Sequence, residues 1–256
     1  MLRRSSRALV RVVFLAGAGA FLWPGGPTAQ QSSLPGAGEI VDRFVTATGG
    51  TAAFKSIASM RAKGSFTITG QQISGDLEMM AARPNKLLTR ITIAGMGAIE
   101  EGYDGKVGWS IDPFRGPALV TGRGLNERAD EAWFDAPLHG SDHVKEMTVV
   151  GKETVDGRQV YRLKVVSLRE TEQFELFEVE SGLQAGIEAS RDTPFGIVPT
   201  STFYRDYQRF GLLMFPSKVV QRVLGQEQTF VFTTYEFNSV PPATFELPAP
   251  IKALLK

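Results

Sequence analysis

The chain has no cysteine. A disulfide framework and any thiolate metal site are therefore excluded. Histidine is nearly as scarce, with two, His139 and His143. Their spacing could put two ligands on one metal if they sat on a helix. Gly140 and Ser141 between them favour a loop, and no glutamate stands where an HExxH arrangement needs one. Both are expected to be exposed loop histidines. There is no GxSxG elbow and no Walker or Rossmann glycine pattern. Metal and cofactor are both expected to be none, and no catalytic constellation emerges, so an enzyme is not expected.

Long apolar runs are lacking too. The longest uncharged apolar stretch, Val12 to Trp23, falls short of the ~20 residues a spanning helix needs. It follows Arg3, Arg4, Arg7 and Arg11 and precedes Pro24-Gly25-Gly26-Pro27. That order is a secretory signal, with a cut expected after Ala29. The Arg3-Arg4 pair leaves a twin-arginine route open. A strong charge of either sign is also missing: 28 Lys+Arg stand against 27 Asp+Glu. Losing residues 1–29 removes four arginines and no acid, leaving 24 basic against 27 acidic side chains. That balance argues against a nucleic-acid partner, which leaves a basic footprint.

What the chain does have is alternation. Residues 30–38 form a flexible leader. Ile40, Val41, Phe44 and Val45 then recur at helical spacing up to Gly49-Gly50, and Thr51 is expected to cap a second short helix. From Met60 the period becomes two. Leu87, Thr89, Ile91 and Ile93 share one face, and Leu88, Arg90 and Thr92 the other. Val107, Trp109 and Ile111 alternate with Gly108, Ser110 and Asp112. Turns at Arg83-Pro84-Asn85, Gly95-Met96-Gly97, Asp104-Gly105-Lys106 and Asp156-Gly157 separate the runs. Leu125, Ala129, Ala132 and Trp133 make a one-striped helix over 125–135 that interrupts the strands. The expected fold is mainly β (α+β): a strongly curved antiparallel sheet or incomplete barrel of about eleven strands, lidded by short helices. One domain is expected over 39–250, with 251–256 as a tail.

The apolar face of such a sheet must be covered. Ile91, Ile93, Trp109, Ile111, Phe174 and Leu176 are assigned to a concave wall, and Leu125 and Trp133 to a helical lid. The plain outcome is a filled core; the sharper one is a cavity for an apolar ligand. Alternation is the same for both. Arg83 and Arg90 near the polar strand edge are either surface pairs or donors that hold the lid.

Several segments resemble the LolA/LolB-like periplasmic lipoprotein carrier family. These are Gly75-Asp76-Leu77, Arg83-Pro84-Asn85, the run Asp104 to Pro113, and Gly151 to Arg158. Tyr235-Glu236-Phe237-Asn238 followed by Phe245-Glu246-Leu247-Pro248 resembles the family's closing strand and C-terminal end. The resemblance spans roughly residues 39 to 248 in element order. It implies an open curved sheet, a hydrophobic cavity for acyl chains of lipoproteins or other lipid, and no catalysis. It also implies periplasmic location, transient membrane contact and partner proteins of envelope transport. Two departures stand out: extra strand material around Ser190–Leu224 and the missing lipobox cysteine. The rival readings are a non-catalytic envelope interaction module with a filled core and an envelope hydrolase using His139 or His143. A membrane β-barrel is disfavoured by the polar strand faces.

Overall fold

The computed structural model describes residues 34–193 and 196–256. The expected signal, residues 1–29, and residues 30–33 of the leader lie outside the described residues. Two helices come first, α1 (Ala37–Ala47) and α2 (Thr51–Lys55). α1 buries Ile40, Val41, Phe44 and Val45, the helical stripe of the sequence. It stops where the Thr48 hydroxyl donates back to the Phe44 carbonyl at 2.8 Å. Gly49 follows at φ +129, and a Cβ there would stand 2.5 Å from the Leu212 carbonyl oxygen. Only glycine fits that position. Gly50, rather than Thr51, is the N-cap of α2, and no side chain caps it.

Thirteen strands form one antiparallel sheet. The first meander is β1 (Ser59–Ile68), β2 (Ile73–Ala82), β3 (Lys86–Ile93), β4 (Gly97–Tyr103), β5 (Gly108–Asp112) and β6 (Gly116–Val120). The second is β7 (Val144–Val155), β8 (Arg158–Ser167), β9 (Glu172–Glu178), β10 (Gln184–Thr193), β11 (Gly196–Phe210), β12 (Leu213–Val223) and β13 (Gln226–Phe237). Spatial order runs β6-β5-β4-β3-β2-β1-β13-β12-β11-β10-β9-β8-β7. The first and last strands therefore meet mid-sheet, and β6 and β7 are free edges. The sheet is curved and unclosed, as alternation and turn chemistry predict. Its strand count exceeds the expected eleven by β6 and β10. β6 is a short edge strand with little alternation. β10 points few large apolar side chains to either face.

The chain must travel from one edge to the other between β6 and β7. It does so through α3 (Gly122–Glu131) and a 3-10 turn, Ala136–Leu138. α3 ends four residues before the expected Asp135. The Phe134 N–H donates to the Pro84 carbonyl at 3.0 Å instead of continuing the helix. The face of the sheet that carries α1, α2 and this crossover is called the inner face below. The opposite, outer face is covered near its end by α4 (Ala249–Leu254) and the 3-10 turn Pro242–Phe245. Val240, Phe245 and Ile251 pack there on Met80, Leu88 and Trp109. Ile251 is fully buried, so the domain does not end at residue 250 with a free tail.

Candidate functional site

Strand register assigns every side chain to a face. Gly64, Leu77, Ile91 and Ile99 are cross-strand partners on β1 to β4. Tyr204, Val219, Phe230, Phe66, Gly75 and Ile93 make the neighbouring row, running from β11 through β13 and β1 to β3. Both rows face inward. Ala62, Phe66, Leu77, Ile93 and Phe232 are buried there, flanked by half-buried Ile68, Ile73, Met79, Ile91, Ile99, Val219 and Phe230. Every member of this cluster is a strand residue. The sheet's own curvature, not a helix, shelters it.

α3 covers the adjoining strip. Leu125, Ala129 and Ala132 pack with Ala81, Leu87 and Tyr103. Its ends are tied by charge. Arg128 donates to Glu101 on β4. Arg123 donates to Glu127 and to the Ser190 carbonyl, both at 2.7 Å. Glu127 in turn accepts from the Asp192 N–H on β10 at 2.9 Å. Asp130 accepts from Arg169 at 2.9 Å and from the Thr171 hydroxyl. α3 is thus a strap anchored to both wings of the sheet. Arg83 fixes the end of the strap: it pairs with Asp135 and donates to the Phe54 and Ile57 carbonyls.

Behind the strap lies a buried ion pair. His139 Nε2 stands 2.8 Å from Glu175 on β9, and Nδ1 stands 3.1 Å from the Pro137 carbonyl. Both neighbours are acceptors, so the doubly protonated ring satisfies both. Glu175 also accepts from Gln173 and Gln184, each at 2.8 Å. The His139 and Glu175 side chains are 4% and 5% exposed. Burial opposes the charge on His139, but Glu175 outweighs it and raises the imidazole pKa. Burial likewise opposes ionised Glu175, and His139 with Gln173 brings the carboxyl below its usual range. His143 behaves in the opposite way. Burial lowers its pKa by more than Asp130 restores. Its ring stacks on Trp133 at 5.5 Å and 3°, and Arg169 lies 5.9 Å over the indole. The expectation of exposed loop histidines is overturned: the crossover folds both rings inward, where carboxylate and indole partners hold them.

The expected wall residues divide between the two faces. Ile91 and Ile93 are on the inner face, as expected. Trp109 pairs with Gly102 and faces outward beneath α4; a Cβ at Gly102 would stand 2.5 Å from the indole. Ile111 shares that outer face beside Leu119. Phe174 and Leu176 also point outward. Leu176 packs with Val160 and Ala185, and Arg162 lies 4.3 Å over the Phe174 ring. The inward residue between them is Glu175. Leu125 belongs to the strap and packs on the strip of Ala81, Leu87 and Tyr103, whereas Trp133 packs on His143 and Arg169, not on Ile91 or Ile93. Arg90 belongs to an outer-face ladder with Glu78 and Glu100, while Arg83 does hold the crossover.

Two open hollows stand out among the described residues, and both lie on the outer face. One, of about 260 Å³, is lined by Phe203, Arg205, Lys218 and Arg222 among others. The other, of about 510 Å³, is lined by Lys63, Asp76, Glu78 and Arg90 among others. Neither is an enclosed apolar chamber.

No protein-family model matches the chain, and no curated protein matches it in sequence. Solved structures match in shape. A LolA superfamily protein from Nitrosomonas europaea aligns at TM-score 0.55 and 11% identity, over 84% of this chain and 99% of that one. The fold is LolA-like. An outer membrane lipoprotein-sorting protein domain from Vibrio parahaemolyticus aligns at 0.52 and 11%, over 85% and 97%. A DUF1329 family protein from Desulfovibrio piger aligns at 0.55 and 13%, over 81% and 96%. At such identities the likeness concerns the fold, not individual side chains.

Proposed function

We propose that this protein is an exported carrier that holds acyl chains of lipoproteins or another lipid against the inner face. The observation that carries the reading is the strand-only apolar cluster around Phe66, Leu77, Ile91, Ile93 and Phe230, beside a strap that is tied down mainly by polar contacts. Acyl burial contributes ~0.8 kcal/mol per CH₂, so one long chain supplies ~10 kcal/mol before ordering costs. Affinity then needs no charged anchor. The strap borders this cluster, so its movement would widen the apolar surface offered to a ligand. Each ion pair that holds α3 keeps one partner open to solvent, Glu101 at 45%, Arg123 at 46% and Arg169 at 29%, so water can take over that charge when the strap moves.

The LolA-like sheet, together with the expected signal over 1–29, supports a periplasmic location, transient membrane contact and transport partners in the envelope. The reading assigns no catalytic residue, metal or cofactor. A non-catalytic interaction module with a filled core is the second reading. What favours it is that both hollows open on the outer face.

Native mass spectrometry of protein taken from its own envelope separates the two. Co-purified lipid is the carrier's expected outcome; a clean apo mass with no uptake from added lipid supports the module. Trp133 reports on the strap, because its ring is held between His143 and Arg169. Lipid that binds is expected to change Trp133 emission and to lower hydrogen-exchange protection in 122–139. Bound lipid with both unchanged means the strap is not the gate.

A further inference from the structure

The inner face is not uniformly apolar. Thr202, Gln221, Gln228 and Ile68 form one cross-strand row on β11, β12, β13 and β1. Tyr204 begins the next row, which continues through Val219 and Phe230 to Phe66 and Ile93. Polar side chains thus border the apolar cluster along an unbroken surface. All of Thr202, Tyr204, Gln221 and Gln228 are half-buried. None of their side chains has a hydrogen-bond partner among the described residues. Burial pushes the Tyr204 phenol well above its usual range, and the nearest charges it feels are Glu175, Arg191 and Glu131. The residue is half-buried, so solvent still reaches it.

Plain hydrocarbon laid across these groups would strip them of water and leave them unpaired, at ~1–3 kcal/mol each. A ligand with its own donors and acceptors beside the chain avoids that cost. Charges lie near the patch as well. Glu175 is neutralised by His139, Arg191 donates to Gln173 at 3.2 Å, and Glu131 is on the strap. The Arg191 guanidinium has only the neutral Gln173 as its hydrogen-bond partner among the described residues, so its charge is not cancelled, while the four groups of the patch carry no charge themselves. Tyr and Thr hydroxyls and Gln carboxamides each donate and accept, which matches esters, amides and hydroxyls.

We propose that Tyr204, Gln221, Thr202 and Gln228 form a subsite for the uncharged polar region of an acyl amphiphile, whose chain lies on the Phe66–Ile91–Ile93–Phe230 surface. This rests on the carrier reading and narrows its cargo: the favoured ligand is an acyl ester or amide carrying hydroxyls, not a bare hydrocarbon.

The test compares two probes on the full-length processed protein. N-phenyl-1-naphthylamine reports the apolar surface by its fluorescence, and 1-monomyristoylglycerol is titrated as its competitor. The variants are Tyr204→Phe, Gln221→Leu and the two combined, which keep shape while removing hydrogen-bonding groups; Thr202→Val is a further isosteric check. The double variant is expected to bind the glyceride about ten-fold more weakly, with dye affinity changed less than about two-fold and an unchanged thermal midpoint. Equal weakening of both probes, or of neither, overturns the subsite. Wild-type protein that takes the dye but not the glyceride also overturns it and leaves the carrier reading standing. Wild-type protein that takes neither overturns both.

Discussion

The two wings of the sheet obey the same alternation and present opposite interiors. On β1 to β4 the inward positions are Phe66, Leu77, Ile91 and Ile93, and the outward ones include Arg61, Glu78, Arg90 and Glu100. On β9 to β12 the inward positions include Gln173, Glu175, Arg191, Thr202, Tyr204 and Gln221 beside the apolar Ile187, Ala189 and Val219, while Phe174 and Leu176 point outward. The first interior is held by area removed from water, so its contributions are local and graded. In the second, Gln173, Glu175 and Arg191 join His139 in a polar network whose value depends on its being complete, while Thr202, Tyr204 and Gln221 stay unpaired among the described residues. One wing therefore behaves as a wall, and the other as a set of placed hydrogen-bonding groups.

The largest expected effect breaks the second interior. Glu175→Leu leaves a buried His139 with its carboxylate gone. Removing one partner of a buried pair costs ~3–5 kcal/mol, whereas replacing both with apolar groups is often close to neutral. The prediction is a large loss in urea unfolding for Glu175→Leu and recovery of most of it in Glu175→Leu/His139→Leu. A double variant as unstable as the single would mean that Gln173 and Gln184, not His139, set the worth of Glu175.

The same experiment on the first interior should come out differently. Leu77 is 3% exposed, and Leu77→Ala is expected to cost ~2–5 kcal/mol through lost transfer energy and the cavity left behind. Its cross-strand partner Ile91 cannot rescue it. Ile91→Ala in the same chain should deepen the loss, since an apolar contact has no unpaired charge to relieve. Rescue on one wing and accumulation on the other is the sharpest form of the contrast.

How much of this was legible in the sequence follows from the same physics. Turn residues and period-two runs located most strands, because both signals are local. They could not say which face of one strand continues the face of the next. That phase is set by the register across each turn, so Trp109 and Ile111 face away from Ile91 and Ile93 although all four sit in clean alternation. In β9 the large apolar residues Phe174 and Leu176 dominate the local pattern, and the inward carboxylate between them does not stand out. Nothing local marks Glu175 as inward; its partner His139 lies 36 positions away. The crossover was visible as a one-striped helix, but its length was not, since a carbonyl on the β2–β3 turn takes the Phe134 N–H.

A smaller effect distinguishes the two histidines. His139 has a raised pKa in the folded chain. Its contribution is fully present below the ordinary imidazole value and is lost as pH rises through the folded one. Glu175 has a lowered pKa, so its contribution is present above the ordinary carboxyl value and is lost as pH falls through the folded one. His143 is lowered as well; it favours the folded chain above the ordinary imidazole value and loses that as the unfolded chain takes up protons on acidification. Two-dimensional NMR should find His139 titrating above a free imidazole and His143 below it. In Glu175→Leu, His139 should drop below free imidazole, because burial, the largest influence on it, is then opposed only by the Pro137 carbonyl. His139 titrating normally in wild type would remove the ion pair from the account.

The smallest effect belongs to the outer face of the first wing. Arg90 lies 2.7 Å from Glu100 and 3.6 Å from Glu78, and its side chain is 40% exposed. Pairs this open to solvent gain little over hydration and are screened by salt, so Arg90→Ala should change stability by less than ~1 kcal/mol, and by less still in high salt. The variant is informative because it pairs with Glu175→Leu: each deletes one charge from an ion pair on a strand, one pair at the surface and one in the interior. If Arg90→Ala were as costly as Glu175→Leu, burial would not be what separates them, and the difference between a wetted ladder and an interior network would have to be sought in strand pairing instead.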